Sequence, residues 1–123
     1  MKRIVPILLS VMMLASAIGH IMAPEFYAAM IPDFIPSLAA NYLAALIEAA
    51  IGIGLLLPQY RHLGGLGFLL LMIGFLPIHV WDLFREDPAI GPPPAPIIRV
   101  IFQFVLMFAG FWVFRSNRTK QAS

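Results

Sequence analysis

The chain alternates four long apolar runs with short polar or proline-rich breaks. The runs cover residues 4–22, 38–57, 63–84 and 97–114. Each is close to the roughly 20 apolar residues that carry a helix across a bilayer. The pattern predicts an all-α fold, a four-transmembrane-helix bundle forming one domain over residues 1–123. There is no fifth hydrophobic segment and no internal repeat.

The first run has a rival reading. A basic start at Lys2-Arg3, an apolar core and Ala15-Ser16-Ala17 together resemble a secretory signal with its cleavage site. The run stays apolar past Ala17, through Ile18, Ile21 and Met22, so it is read as a retained span. Cleavage would leave three spans.

The breaks have distinct chemistry. Residues 23–37, APEFYAAMIPDFIPS, hold three prolines, which prevent a continuous helix. Their mixture of Phe26, Tyr27 and Phe34 with Glu25 and Asp33 suits a membrane–water interface. Pro58 stops the second run, and residues 59–62 read as a turn. The third run opens on Gly64, Gly65 and Gly67 and carries Pro77, which membrane helices tolerate when neighbours supply packing and hydrogen bonds. Residues 85–96, REDPAIGPPPAP, read as extended, with Pro96 suited to the first position of the next helix. Trp112 is placed at an interface, and residues 115–123 read as a polar tail without regular structure.

Composition and charge then narrow the class. A mean hydropathy of +0.90 with 11% charged residues is too apolar for a water-soluble fold of this size. The chain is therefore read as a multi-pass protein of a cell membrane, the inner membrane in a bacterium, with the lipid bilayer as its first partner. A pI near 9.4 would suggest nucleic acid in a soluble protein. Here the bases follow topology, so no nucleic-acid partner is read. With four spans, Lys2, Arg3, Arg61, Arg115, Arg118 and Lys120 share one side, while Glu25, Asp33, Arg85, Glu86 and Asp87 share the other. The positive-inside rule predicts that both termini are cytoplasmic. Cysteine is absent, which excludes disulfides, thiol exchange and thiolate chemistry.

Polar residues inside the runs are the candidate chemistry. Glu48 sits in LAALIEAAIGIGLLL, where an unmatched carboxylate costs roughly 2.5–3.5 kcal/mol on insertion scales. It needs a partner, a proton or water. Asn41 and Gly52 extend its stripe in the two directions. His20 lies near the outer end of the first run. His79 and Asp82 are three apart near the outer end of the third, and Arg99 and Gln103 are four apart at the outer start of the fourth. Each has a bland reading: a helix cap for His20, a solvated acid for Asp82, an interfacial anchor for Arg99, an interhelical hydrogen bond for Gln103. Jointly, His20, Glu48, His79, Asp82, Arg99 and Gln103 form a candidate ligand-binding or proton-relay site in the outer half of the bundle. By depth, Arg99 is the base placed to neutralise Glu48, across a gap of roughly 5–10 Å that Gln103 or a water could bridge. His79 and Asp82 offer two metal ligands without a third, so no metal site is read. There is no Gly-rich phosphate loop, nucleophile elbow or HExxH, and whether the chain is an enzyme stays open.

The ordered set of these residues resembles the DoxX-like family of small four-helix membrane proteins, over about residues 19–112. Gly19-His20 with Pro24-Glu25-Phe26 and IPDFIP, then Glu48, Gly52 and LLLPQYR, then FLPIH, then RVIFQ at residues 99–103 carry the resemblance. Ala44-Ala45, His79 and Ile101 stand where that family usually has Ser-Gly, Asn and Pro. The resemblance implies roles in quinone-linked sulfur oxidation, oxidative-stress membrane complexes or receptor assembly, and fold alone does not choose among them. Two expectations follow. One is a membrane subunit beside an oxidoreductase, with quinone or another small amphipathic molecule as ligand. The other is a non-enzymatic assembly protein whose polar cluster only fixes helix register.

Overall fold

The computed structural model describes residues 2–118. Five α-helices make up the fold: α1 (Ile4–Met22), α2 (Pro24–Ala28), α3 (Ser37–Leu56), α4 (Arg61–Leu83) and α5 (Ala95–Arg118). Among the described residues there is no strand. Four of the helices are long and apolar enough to cross a membrane. They form an all-α four-helix bundle, and α2 is a short helix in the first connection.

Prolines set several boundaries. A residue before proline is pushed out of the helical region. Ala23 before Pro24 (φ −137°, ψ 61°) ends α1, and Leu57 before Pro58 (φ −82°, ψ 117°) ends α3. The break at 59–62 is tighter than the sequence implies: Pro58–Tyr60 form one 3₁₀ turn, and α4 follows at Arg61. Helix α5 starts at Ala95, with Pro96 second. It also runs past residue 114, so residues 115–118 are helical and not tail. Arg115 and Arg118 lie over the rings of Phe111 and Phe114, each one turn back, and Asn117 donates to the Val113 carbonyl at 2.8 Å. The remainder of the expected tail, residues 119–123, lies outside the described residues.

Consecutive long helices are antiparallel. Ser10 of α1 faces Gly52 of α3, and His20 faces Asn41. Gly65 of α4 faces Gly110 of α5, and Met72 faces Gln103. The start of α1 and the end of α5 therefore share one end with the 3₁₀ turn. The segments 23–36 and 84–94 share the other, here called the loop end. Packing is strongest within two pairs, α1 with α3 and α4 with α5; α3 joins them through α4, and α1 barely touches α5.

The buried positions of α3 are Asn41, Ala45, Glu48, Gly52 and Leu55. Their alternating steps of four and three trace one stripe of a helix. One apolar cluster, built from Leu9, Met13, Leu55, Phe68, Met72, Leu106 and Val113, draws on all four long helices. Outside the stripes, large apolar side chains such as Leu8, Leu46 and Phe108 are exposed, as a lipid-facing surface requires. Glycines set the closest helix contacts, Gly64 against Leu55 of α3 and Gly65 against Phe114 of α5. A methyl group on Gly65 would stand 2.7 Å from the Phe114 backbone nitrogen, so α4 and α5 meet backbone to backbone there.

Candidate functional site

The polar residues expected in the outer half of the bundle do gather toward the loop end, but in two clusters, one per helix pair. In the α1–α3 cluster, Glu48 is 2% exposed and His20 is 7% exposed. His20 Nε2 stands 3.5 Å from Glu48 Oε2. That is ion-pair distance at the limit of a hydrogen bond, and Oε2, although sealed from solvent, has no hydrogen-bond partner among the described residues.

Asn41 determines the His20 tautomer. Its Nδ2 donates to the Ser37 carbonyl at 3.0 Å and the Pro24 carbonyl at 3.4 Å, so its Oδ1 must be the atom that meets His20. Oδ1 accepts from His20 Nδ1 at 2.7 Å. With the hydrogen on Nδ1, a neutral His20 presents a bare lone pair at Nε2. A bare Nε2 facing an ionised carboxylate would be repulsive, so the contact is favourable when the His20–Glu48 pair holds one further proton. That proton sits either on Nε2, giving an ion pair, or on the carboxyl, giving an acid that can donate to imidazole.

The surroundings hold this pair in place. The Tyr27 ring of α2 stacks on the His20 ring, 3.8 Å between centroids and 25° between planes. Gly19 makes room for it, since a methyl there would stand 2.8 Å from the Tyr27 hydroxyl oxygen. Ser16, one turn from His20, is the other polar neighbour of the Glu48 carboxylate. Deeper in the bundle, the Ser10 hydroxyl donates to the Gly52 carbonyl at 2.7 Å.

In the α4–α5 cluster, Gln103 is fully buried. Its Nε2 donates to the Met72 carbonyl at 2.7 Å, and its Oε1 accepts from Arg99 Nη1 at 2.8 Å. His79 lies close enough to Arg99 for their charges to interact, and its Nδ1 is buried without a hydrogen-bond partner among the described residues. Asp82 serves a different purpose. Its carboxylate accepts from the backbone nitrogens of Ala89 at 2.7 Å and Ile90 at 3.3 Å and from Arg85 Nη1 at 3.2 Å. The same Arg85 nitrogen donates to the Ala29 carbonyl at 2.8 Å, and its guanidinium lies 4.5 Å from the Trp81 ring centre. Asp82 therefore folds the 84–94 segment, and Arg85 clasps it to the 23–36 segment.

The geometry corrects one expectation. Glu48 does not pair with Arg99: its base is His20, and Arg99 turns to Gln103, whose amide is committed to Met72. Among the described residues, the ion pairs are His20–Glu48 and Asp82–Arg85. Among the described residues, no group of three or more His, Asp or Glu side chains is placed to hold a metal ion.

A family model matches residues 9–114. The chain belongs to the family described as domain of unknown function DUF8561. No curated protein and no solved structure matches it. The match spans both clusters of the DUF8561 domain, from Ser10 to Gln103.

Two open clefts of about 500 Å³ each mark the surface of this DUF8561 chain. One lies at the loop end between the first connection and the end of α4, with Asp33, Phe34, Trp81 and Arg85 among its lining. The other runs beside the 3₁₀ turn along α3 and α4, past Gly54, Tyr60 and Gly64. None of the six expected site residues lines either. Asn41 and Tyr27 were outside that expected set. The seven-residue spacing from Asn41 to Glu48 was the available signal for Asn41. Nothing local marks Tyr27, which reaches His20 only because α2 folds back over α1.

Proposed function

We propose that this DUF8561 protein is a membrane subunit of a redox-linked complex that binds a quinone or another small amphipathic molecule in the loop-end half of the bundle. The His20–Glu48 pair is its proton-handling group. Glu48 Oε2 carries this reading: it is buried, unbonded, and 3.5 Å from an imidazole nitrogen. A pair that holds one proton between a carboxyl and an imidazole can give it to an oxygen that gains electron density, or take it back. The electrons come from an oxidoreductase partner. The ordered resemblance to DoxX-like proteins supports the redox link. The segregation of lysine and arginine supports cytoplasmic termini, which puts the pair toward the outer face.

The test is a titration of protein in phosphatidylcholine nanodiscs with a short-tailed quinone, read by fluorescence of Trp81 and Trp112. Glu48→Gln should weaken binding about tenfold, the value of one good hydrogen bond. Equal affinity in wild type and variant would overturn this reading. A second reading, a non-enzymatic assembly protein, is favoured by the commitment of Asn41, Gln103 and Asp82 to bonds within the chain. It gains if a protein partner copurifies and Glu48→Gln leaves both quinone binding and the partner unchanged.

A further inference from the structure

Arg99 presents a different problem from Glu48. It lies in the second turn of a membrane-spanning helix, and no carboxylate pairs with it among the described residues. Its hydrogen bond to Gln103 Oε1 goes to a neutral amide, and the Phe102 ring centre is 5.7 Å away. A guanidinium has five N–H donors, so most of its capacity is unspent. A cation inside a span is costly unless it is paired, hydrogen-bonded or able to reach the interface. Beside it, His79 Nδ1 is buried and unpartnered. Arg99 and His79, on the two packed helices, thus both keep hydrogen-bonding capacity that the described residues do not use, with Asp82 the nearby acid that acts on His79.

We infer that Arg99 and His79 form a binding site for the oxyanion of a lipid headgroup at the loop-end face of α4 and α5. This goes beyond the quinone reading and does not depend on it. Arg99 is the fifth residue of α5, so it lies only about 6 Å along the axis from the helix start. A phosphate reaches that depth without leaving the headgroup layer. Ile98, Phe102 and Val105, spaced four and three apart next to Arg99, are exposed apolar residues along which an acyl chain can lie. Arginine suits this task because its planar fork matches two phosphate oxygens at once. Gln103 positions the guanidinium by holding Nη1. Free phosphate shares the headgroup's chemistry but would lack the acyl-chain contact.

The probe is phosphatidylglycerol, titrated into protein held in a phosphatidylcholine background and counted by native mass spectrometry. Wild type should hold one phosphatidylglycerol more tightly than the rest. Arg99→Gln should weaken that tightest site at least tenfold, and His79→Leu several-fold. Arg118→Gln, at the opposite end of the bundle, should leave it in place. Unchanged tightest affinity in Arg99→Gln overturns the inference; if that variant does not fold, unchanged affinity in His79→Leu does so. Displacement by millimolar inorganic phosphate would reassign the site to a soluble anion and overturn the lipid assignment. Glu48→Gln should retain the lipid, so failure here and failure of the quinone reading are told apart.

Discussion

The two helix pairs treat buried charge in opposite ways. Between α1 and α3, a carboxylate faces an imidazole, an amide fixes the tautomer, and an aromatic ring closes the end. The charge is matched inside the protein. Between α4 and α5, a guanidinium leans on a neutral amide and a histidine nitrogen stays unbonded. Asp82 of the same cluster is matched by Arg85, whereas Arg99 has no carboxylate partner among the described residues, which is the gap the lipid headgroup is inferred to fill. Each pair keeps one buried polar atom unbonded, Glu48 Oε2 in the first and His79 Nδ1 in the second; what differs is the group that faces the charge, an ionisable base for Glu48 and a neutral amide for Arg99.

The largest effects should come from splitting the matched pair. His20→Ala strands a buried carboxylate, a loss of about 3–5 kcal/mol in soluble proteins and less between membrane helices. Adding Glu48→Gln to His20→Ala should recover part of the loss, with a coupling of about 0.5–3 kcal/mol in a detergent unfolding assay. Glu48→Gln combined with Arg99→Gln should be additive within about 0.5 kcal/mol, because the two residues belong to different pairs. Additivity in the first cycle, or coupling in the second, would erase the division between the halves.

A smaller effect tests how tightly the α4–α5 pair is held. Gly65→Ala puts a methyl group 2.7 Å from the Phe114 backbone nitrogen, which cannot move aside alone. A cost of about 1–3 kcal/mol is expected, as for other overpacked contacts. Gly74→Ala, on the same helix with nothing within 4 Å of the new methyl, serves as the reference and should cost nothing. Equal melting temperatures for the two variants would show that the close backbone approach is absent. The smallest effect belongs to Ser10→Ala, which removes the hydroxyl bond to Gly52. About 0.6 kcal/mol is expected, the average for hydrogen bonds between membrane helices. A loss as large as that of His20→Ala would move the centre of the α1–α3 pair away from Glu48.

The four spans were legible because hydrophobic length is a local property, and α1 matches its expected bounds at both ends. The Asn41–Glu48–Gly52 stripe was legible for a similar reason, since helical spacing alone puts the three on one face. Helix pairing was not legible. Depth along the bundle put Arg99 near Glu48, but lateral neighbours depend on which helices pack together, and no single run encodes that. The end of α5 was misread because Arg115 and Arg118 resemble solvated tail, whereas each lies over an aromatic ring one turn back and prolongs the helix. The α2 helix was hidden among prolines that rule out a long helix but allow a short one starting at Pro24.

The antiparallel pairing of neighbours in sequence bears on biogenesis. His20 and Glu48 belong to the first two spans made, so the costly acid can meet its base while the ribosome is still producing α4. The first hairpin can leave the insertion machinery already neutralised. Arg99 emerges with the last span, when Gln103 and α4 are at hand and lipid surrounds the growing bundle. The clasp of Arg85 on the Ala29 carbonyl spans the two loops, so it cannot close until the chain has passed through the membrane a third time. Order of synthesis and order of charge matching therefore run in the same direction along this chain.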